Sequence, residues 1–209
     1  MFVLWGVGSL GFSQDVSSDL ALPAIGSWLM TEEGLPAHWL GALFQGRPLI
    51  EPINVAVVDG FAASSDEALD KLLRATNAGG FGESWGHSSG YWAFIGGELF
   101  PQISSRDDTA ISDGHTFFEN NHGRIFGPWQ EGPRWVFVGA FSRESFQLWI
   151  SPHHEFVSFN LARDRFVQRL SQGEFYRLRG YFPLGNTRND EVGTTADHDG
   201  QVAVLEAIR

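Results

Sequence analysis

Two spacings of apolar residues divide the first half of this chain into a strand and a helix. Residues 53–58 are a short, β-branched run enclosed by a proline and a glycine, which is typical of a buried strand. Apolar positions then recur at helical spacing over 65–78, which predicts a helix with one buried face. Ser64 supplies a hydroxyl at its start, acidic residues fill its first turn, and Gly79-Gly80 end it. Residues 81–113 have weak periodicity and predict a loop with short ordered pieces.

The second half of the chain alternates apolar and polar residues in the manner of paired strands. This pattern predicts strands at 116–118, 122–126, 135–141, 146–150, 155–159, 175–182 and 202–208. Hairpin turns are predicted at 132–133 and 142–145. A second helix is predicted over 161–171, with Asn160 as its N-cap and Gly173 beyond its end. These elements together predict an α+β fold, a single domain with a mostly antiparallel sheet and two main helices.

The first 39 residues differ in character from the rest. Residues 2–12 are apolar and uncharged but too short to span a bilayer, and an arm interrupted by prolines and glycines follows. This start is typical either of the end of a signal-peptide core or of a buried first strand or helix. We therefore predict an apolar segment and arm over 1–39, an α+β domain over 40–209, and an exported or membrane-associated protein.

Composition excludes several kinds of chemistry. The chain has 209 residues and a formal net charge of −11, so its surface repels phosphate backbones and we expect no nucleic-acid partner. It contains no cysteine, which excludes thiolate catalysis, disulfides and cysteine-ligated zinc. The segment 86–90, Gly-His-Ser-Ser-Gly, lacks the spacing of a serine nucleophile elbow and is predicted to form a turn.

Histidines are the main candidates for chemistry. Four of the seven fall on or beside predicted strands: His115, His122, His153 and His154. Such residues either form a metal or acid–base cluster or are hydrogen-bonded within the sheet. Adjacent residues of a strand point to opposite faces, so at most one of His153 and His154 shares a site with His122. A true site requires their ring nitrogens to converge within about 4–5 Å of one point.

Two arginines and an aspartate extend this hypothesis. Arg124 and Arg163 are candidates for holding an anionic group, and Arg163 lies in the first turn of a predicted helix, where free N–H groups attract anions. Asp164 could orient a histidine, although a simple Arg–Asp pair is the alternative. In this hypothesis His122, His154 and Asp164 are catalytic, while the remaining histidines and both arginines bind ligand. A divalent metal is a possible cofactor, and the residues specify neither the metal nor the small-molecule ligand.

Several segments in sequence order suggest a family. The segments are Glu51-Pro52-Ile53-Asn54-Val55, residues 118–126, residues 134–140, His153-His154 through Arg163-Asp164, residues 185–190, and residues 199–205. Their order over about residues 35–209 resembles the LssY C-terminal domain, an envelope- and secretion-associated family. The chain departs from the family pattern in having fewer aspartates at the second helix start and only one histidine at 122–123.

The resemblance implies a non-enzymatic accessory or binding module of the cell envelope, with a membrane or envelope protein as partner. The histidine cluster favours an alternative function. This is a metal- or histidine-dependent hydrolase acting on a phosphoester or a similar polar headgroup.

Overall fold

The computed structural model of this chain describes residues 21–104, 106–148 and 153–209. The predictions for residues 2–12 and for a strand continuing to residue 150 lie outside those ranges. The described strands are β1 (His38–Phe44), β2 (Arg47–Ile50), β3 (Val55–Asp59), β4 (Gly82–Trp85), β5 (Trp92–Ile95), β6 (Glu98–Pro101), β7 (Thr109–Ser112), β8 (Asn120–Glu131), β9 (Arg134–Gln147), β10 (His153–Ser158), β11 (Tyr176–Pro183) and β12 (Gln201–Ala207). The described helices are α1 (Ser65–Ala78) and α2 (Phe159–Ser171).

The centre of the molecule is an eight-stranded sheet with the order β11-β12-β3-β9-β8-β7-β4, and β10 is added beside β9. Its pairs are antiparallel except for the parallel pair of β12 and β3. Two hairpins, β1–β2 and β5–β6, form separate small sheets. The predicted α+β fold, a single domain with a mostly antiparallel sheet and two main helices, is confirmed.

The long strand β9 organises the sheet. One of its edges pairs with β8, while its other edge pairs first with β3 and then with β10. Where β3 gives way to β10, the buried amide of Asn54 accepts a hydrogen bond from Phe141 N at 3.0 Å and donates to Phe141 O at 2.9 Å. The side chain therefore continues the hydrogen-bond ladder across the junction.

The prediction of a turn at 142–145 was wrong, because β9 runs without interruption to Gln147. Polar residues in this stretch suggested a turn, but Ser142 and Glu144 are buried and hydrogen-bonded inside the fold. The strand predicted at 116–118 was also wrong. That segment is a turn in which Phe118 N donates to His115 O at 2.9 Å. The segment 81–113, predicted as mostly loop, contains the four short strands β4 to β7.

Both helices pack on the sheet as their apolar spacing predicts. Helix α1 has the predicted bounds and the predicted cap, since Ser64 Oγ accepts from Glu67 N at 3.2 Å. Helix α2 begins two residues earlier than predicted, and its N-cap is Ser158 rather than Asn160. The reason is geometric: Ser158 Oγ accepts from Leu161 N at 2.9 Å, while the Asn160 amide donates to Asp197 O instead.

The described part of the N-terminal arm lies against the rest of the fold. Leu29 is completely buried beside Ile53 and Val138, and Trp39 is 3% exposed. Strand β1 crosses the predicted boundary between residues 39 and 40. In the described ranges, no helix has the length and apolar character needed to cross a bilayer.

Candidate metal centre

Strands β8 and β9 bring five polar side chains to one face of the sheet. On β8, Asn120, His122 and Arg124 occupy every second position, so they share a face. In the antiparallel register Ser142 lies opposite His122, and Glu144 lies opposite Asn120. All five residues are buried. Because residues directly opposite each other point to the same side of a sheet, this register assembles a polar group inside the fold.

Two further histidines reach this group from other elements. His154 on β10 lies opposite Phe146 of β9, on the face that also carries Glu144. His87 comes from the loop between β4 and β5, and its ring stacks on His122 with 4.6 Å between the centroids. Arg124 anchors that loop, since its Nε and Nη2 each donate to the carbonyl oxygen of Ser88 at 3.1 Å.

Three histidine nitrogens converge on one carboxylate oxygen. The Nδ1 atoms of His87, His122 and His154 lie 3.8, 3.8 and 3.1 Å from Oε1 of Glu144. One donor atom from each of His87, His122 and Glu144 lies within 4.8 Å of the other two. Donors bound to one tetrahedral zinc at about 2.0–2.1 Å stand about 3.3 Å apart. These side chains could therefore hold a metal ion.

The surroundings of Ser142 determine where the proton of His122 lies. Ser142 Oγ receives a hydrogen bond from Trp39 Nε1 at 3.1 Å and donates to Glu51 Oε1 at 3.3 Å. Burial raises the pKa of Glu51, and its ion pair with Arg124, whose Nη1 lies 3.2 Å from Oε1, opposes that rise. When Glu51 is ionised its carboxylate only accepts, and the single hydrogen of the Ser142 hydroxyl goes to it.

The second contact of Ser142 is with the histidine ring. His122 Nε2 lies 3.2 Å from Ser142 Oγ and donates to it when the Ser142 hydrogen goes to an ionised Glu51, which leaves the lone pair of His122 on Nδ1. In that tautomer the lone pair faces Asn120 Oδ1 at 3.2 Å and the Glu144 carboxyl group. A metal cation between these atoms, or a proton on Glu144, would satisfy the lone pair.

One nitrogen of the cluster has no hydrogen-bond partner among the described residues. That atom is the buried Nε2 of His87, while the buried Nδ1 of His154 lies 3.1 Å from Glu144 Oε1. Buried polar atoms in proteins almost always have partners. Imidazole nitrogens beside a carboxylate, such as Nδ1 of His87 and Nδ1 of His122 beside Glu144, are a donor set that divalent zinc takes.

Burial also sets the charges of the cluster. It lowers the pKa of His87 to about 4 and holds the pKa of His122 well below its usual range, and the nearby Arg124 guanidinium acts in the same direction. Both rings are therefore neutral at neutral pH, the form in which imidazole ligates a metal. Burial raises the pKa of Glu144, against the hydrogen bond donated by Asn120.

The cluster lines a small cavity of about 70 Å³. Its other walls are Trp39, Glu51, Gly86, Ser88, Tyr91 and Arg124. A cavity of this size holds an ion with a few waters but not a large ligand. The side chain of His154 is 23% exposed, whereas those of His87, His122 and Glu144 are 2–3% exposed, so His154 forms the outer wall.

The structure brings together three of the residues predicted from sequence, namely His122, His154 and Arg124. His153 is exposed and lies on the opposite side of β10, as the alternation of strand residues requires. His115 is an exposed residue whose ring stacks on Phe117. Neither lines the cavity.

Arg163 and Asp164 belong to a different part of the molecule. Arg163 donates to Asp164 at 2.8 Å and to Asp199 at 2.7 Å, which is the structural ion pair named as the alternative. Asp164 also accepts from Tyr181 at 3.1 Å. Neither residue lines the cavity, so Asp164 is not placed to orient His122 or His154.

His87 and Glu144 were missed by the sequence analysis. Both lie in segments that were predicted to be turns, where a buried site was not expected. The available signal was the alternation of Ser142 with Glu144, which continues the period of the preceding strand and matches that of Asn120 with His122. For His87, only the folded loop reveals its position.

Comparison with protein-family models, with curated proteins and with solved structures found no match. The resemblance to the LssY C-terminal domain therefore stays a prediction from the residues.

Proposed function

We propose that this chain is a metalloprotein of the hydrolase class, with a divalent metal such as Zn²⁺ held by His87, His122 and Glu144 and with His154 beside the open fourth position. The observation that carries the proposal is the convergence of three imidazole nitrogens on Oε1 of Glu144 at 3.1–3.8 Å. The tautomer of His122 that directs its lone pair at Asn120 and Glu144 would be satisfied by a cation at this point.

The chemistry of such a centre is activation of water. A divalent zinc ion lowers the pKa of bound water to about 7, which supplies hydroxide at neutral pH. His154, whose Nδ1 lies 3.1 Å from Glu144 Oε1 and whose side chain forms the outer wall, is placed to carry a proton between that water and the leaving group. The step is a hydrolysis: the water oxygen adds to the acyl or phosphoryl centre, the bond to the leaving group breaks, and the leaving group takes the proton.

Metal binding by paired histidine variants tests this proposal. Purified protein is loaded with Zn²⁺ or Co²⁺, and bound metal is measured by elemental analysis and by the visible spectrum of Co²⁺. We expect about one equivalent in the wild type and a loss of at least about ten-fold in affinity for His154→Ala. The matched control is His153→Ala, which changes the adjacent exposed histidine and should bind as the wild type does.

Thermal melting of the same two variants separates a binding defect from unfolding. His154→Ala should melt cooperatively in the absence of metal and lose the rise in melting temperature that metal gives the wild type. No stoichiometric metal in the wild type, or equal binding by His153→Ala and His154→Ala, would contradict the proposal.

Envelope association is a separate prediction that rests on the family resemblance and the apolar start. Fractionation of the full-length gene product tests it. A product found only in the soluble cytosolic fraction, with no membrane partner recovered, would count against it.

A further inference from the structure

An open groove lies next to the buried cavity and shares one wall with it. The groove has a volume of about 430 Å³ and lies between strands β1 and β10. Its lining residues are Ala42, Leu43, Phe44, Gln45, His153, His154, Glu155 and Phe156. His154 lines both spaces, so the groove and the cavity adjoin at its side chain.

The β1 side of the groove is apolar. Leu43 is 66% exposed and lines the groove together with Ala42 and Phe44. Phe44 stands edge-on to Phe156, with 5.7 Å between the ring centroids, and this pair forms the floor. Binding of an apolar chain to such a surface is favourable, because it removes apolar area from water on both sides.

The charges in both spaces disfavour an anionic ligand. The carboxylates in the two linings are Glu51, Glu144 and Glu155, and the guanidinium is that of Arg124. All three nitrogens of Arg124 already donate to Glu51 or Ser88, and Tyr91 covers its face at 4.7 Å. A phosphate group would therefore meet acidic side chains and no uncommitted guanidinium.

We propose that this groove binds the apolar tail of a neutral acyl compound, an ester or amide, whose carbonyl group reaches the metal beside His154. The inference rests on the proposed function and narrows its substrate class. Hydrolysis would transfer the water oxygen to the acyl carbon and release the alcohol or amine with a proton, so no oxidant or reductant is needed.

Hydroxamic acids test the proposal, because they carry an acyl group, are neutral in solution at pH 7, and chelate a divalent metal through the carbonyl oxygen and the N–O oxygen, which loses its proton on binding. The full-length Co²⁺-loaded protein is titrated with acetohydroxamic acid, octanohydroxamic acid, inorganic phosphate and octyl phosphate, and the Co²⁺ spectrum is followed. We expect octanohydroxamic acid to bind at least about ten-fold more tightly than acetohydroxamic acid, since burial of two methylene groups corresponds to that gain. Both phosphates should bind more weakly than the hydroxamate with the same tail.

Two surface variants test whether the tighter binding of the longer hydroxamic acid comes from contact with the groove. Leu43→Ser should remove most of the advantage of the longer tail, whereas Leu35→Ser should keep it. The two residues are 66% and 63% exposed, and Leu35 lines neither space, so neither change should impair folding.

The outcomes separate the two proposals. Metal binding without a tail advantage, octyl phosphate binding as tightly as octanohydroxamic acid, or equal behaviour of Leu43→Ser and Leu35→Ser would overturn the groove inference alone. No Co²⁺ spectrum in the wild type would overturn both.

Discussion

Ser142 illustrates how one hydroxyl sets the chemistry of this site. With Glu51 ionised, it accepts from Trp39, donates to Glu51 and receives the Nε2 proton of His122, so its hydrogen-bonding capacity is fully used. Side chains that fix the tautomer of a ligating histidine affect metal affinity without touching the metal. Ser142 is therefore a positioning residue in the proposed centre.

We predict that Ser142→Ala lowers Zn²⁺ affinity by about 10–100-fold, because His122 loses the acceptor that keeps its proton on Nε2. Competition with a chelator of known affinity measures the change. The control is Thr76→Val, which removes another buried hydroxyl, one that donates to Leu73 O at 2.9 Å in α1. That variant should lose stability but keep its metal affinity. Equal affinities for Ser142→Ala and the wild type would show that the tautomer does not depend on this contact.

Arg124 shows why residue type alone did not reveal its role. From sequence it was a candidate for holding an anion, since a guanidinium matches phosphate well. In the fold its donors are committed to Glu51 and Ser88, so its visible role is to hold the His87 loop on the sheet. The partner of a guanidinium depends on which groups the fold places beside it. Glu51 and Ser88 are both far from Arg124 in sequence, so this pairing could not be predicted from the chain alone.

At the start of α2, the residue predicted to cap the helix is not the residue that caps it. Asn160 fits the preference for an amide at a helix N-terminus, yet Ser158 occupies the capping position. Asp197 decides between them. It accepts from Ser158 Oγ and from Phe159 N, and this places the start of the helix two residues earlier than the sequence pattern suggested.

We predict that Ser158→Ala destabilises the fold by about 1 kcal/mol or somewhat more, because the N–H of Leu161 loses its acceptor. Asn160→Ala, at an exposed hydrogen bond, should cost about 0.5 kcal/mol or less. Urea unfolding of the two variants measures both free energies. A larger loss for Asn160→Ala than for Ser158→Ala would reverse the assignment of the cap.

Long strands were harder to predict than helices here. The apolar spacing of α1 is continuous, so its bounds could be predicted from sequence alone. The first half of β9 is mostly apolar and its second half is mostly polar. In sequence the polar half is typical of a turn, but in the fold it is paired with β8 on one edge and with β10 on the other. The strand was not predicted over this half because the residues that it buries, Ser142 and Glu144, are polar.

The molecule as a whole is tied together by a buried polar link near its C-terminus. His198 Nε2 donates to Asn186 Oδ1 at 2.8 Å, and the Asn186 amide donates to Ser27 O and Ile53 O at 2.8 Å each. The link joins the arm, the start of β3 and the segment before β12. Burial lowers the pKa of His198 to about 4, from 6.5.

We predict that this link makes the fold sensitive to acid. Between pH 6.5 and 4 the unfolded chain binds a proton at His198 while the folded chain does not. The contribution of neutral His198 to the free energy of unfolding is therefore complete above pH 6.5. It is lost as the pH falls towards 4, by up to about 3 kcal/mol. His198→Gln keeps a donor but cannot titrate, so its unfolding free energy should fall less between pH 7 and pH 4.5. Parallel pH profiles for wild type and variant in urea unfolding would contradict this.

The fold class, both helices and the opposite orientations of His153 and His154 follow from the sequence, because apolar periodicity and the alternation of strand residues are local properties. The composition of the histidine site does not follow from it. His87, Glu144 and His154 come from a loop, a strand predicted to be broken and a separate strand, and they meet through the register of β8, β9 and β10. Convergence of side chains so far apart in the chain depends on long-range strand pairing and on burial, which only the tertiary structure decides.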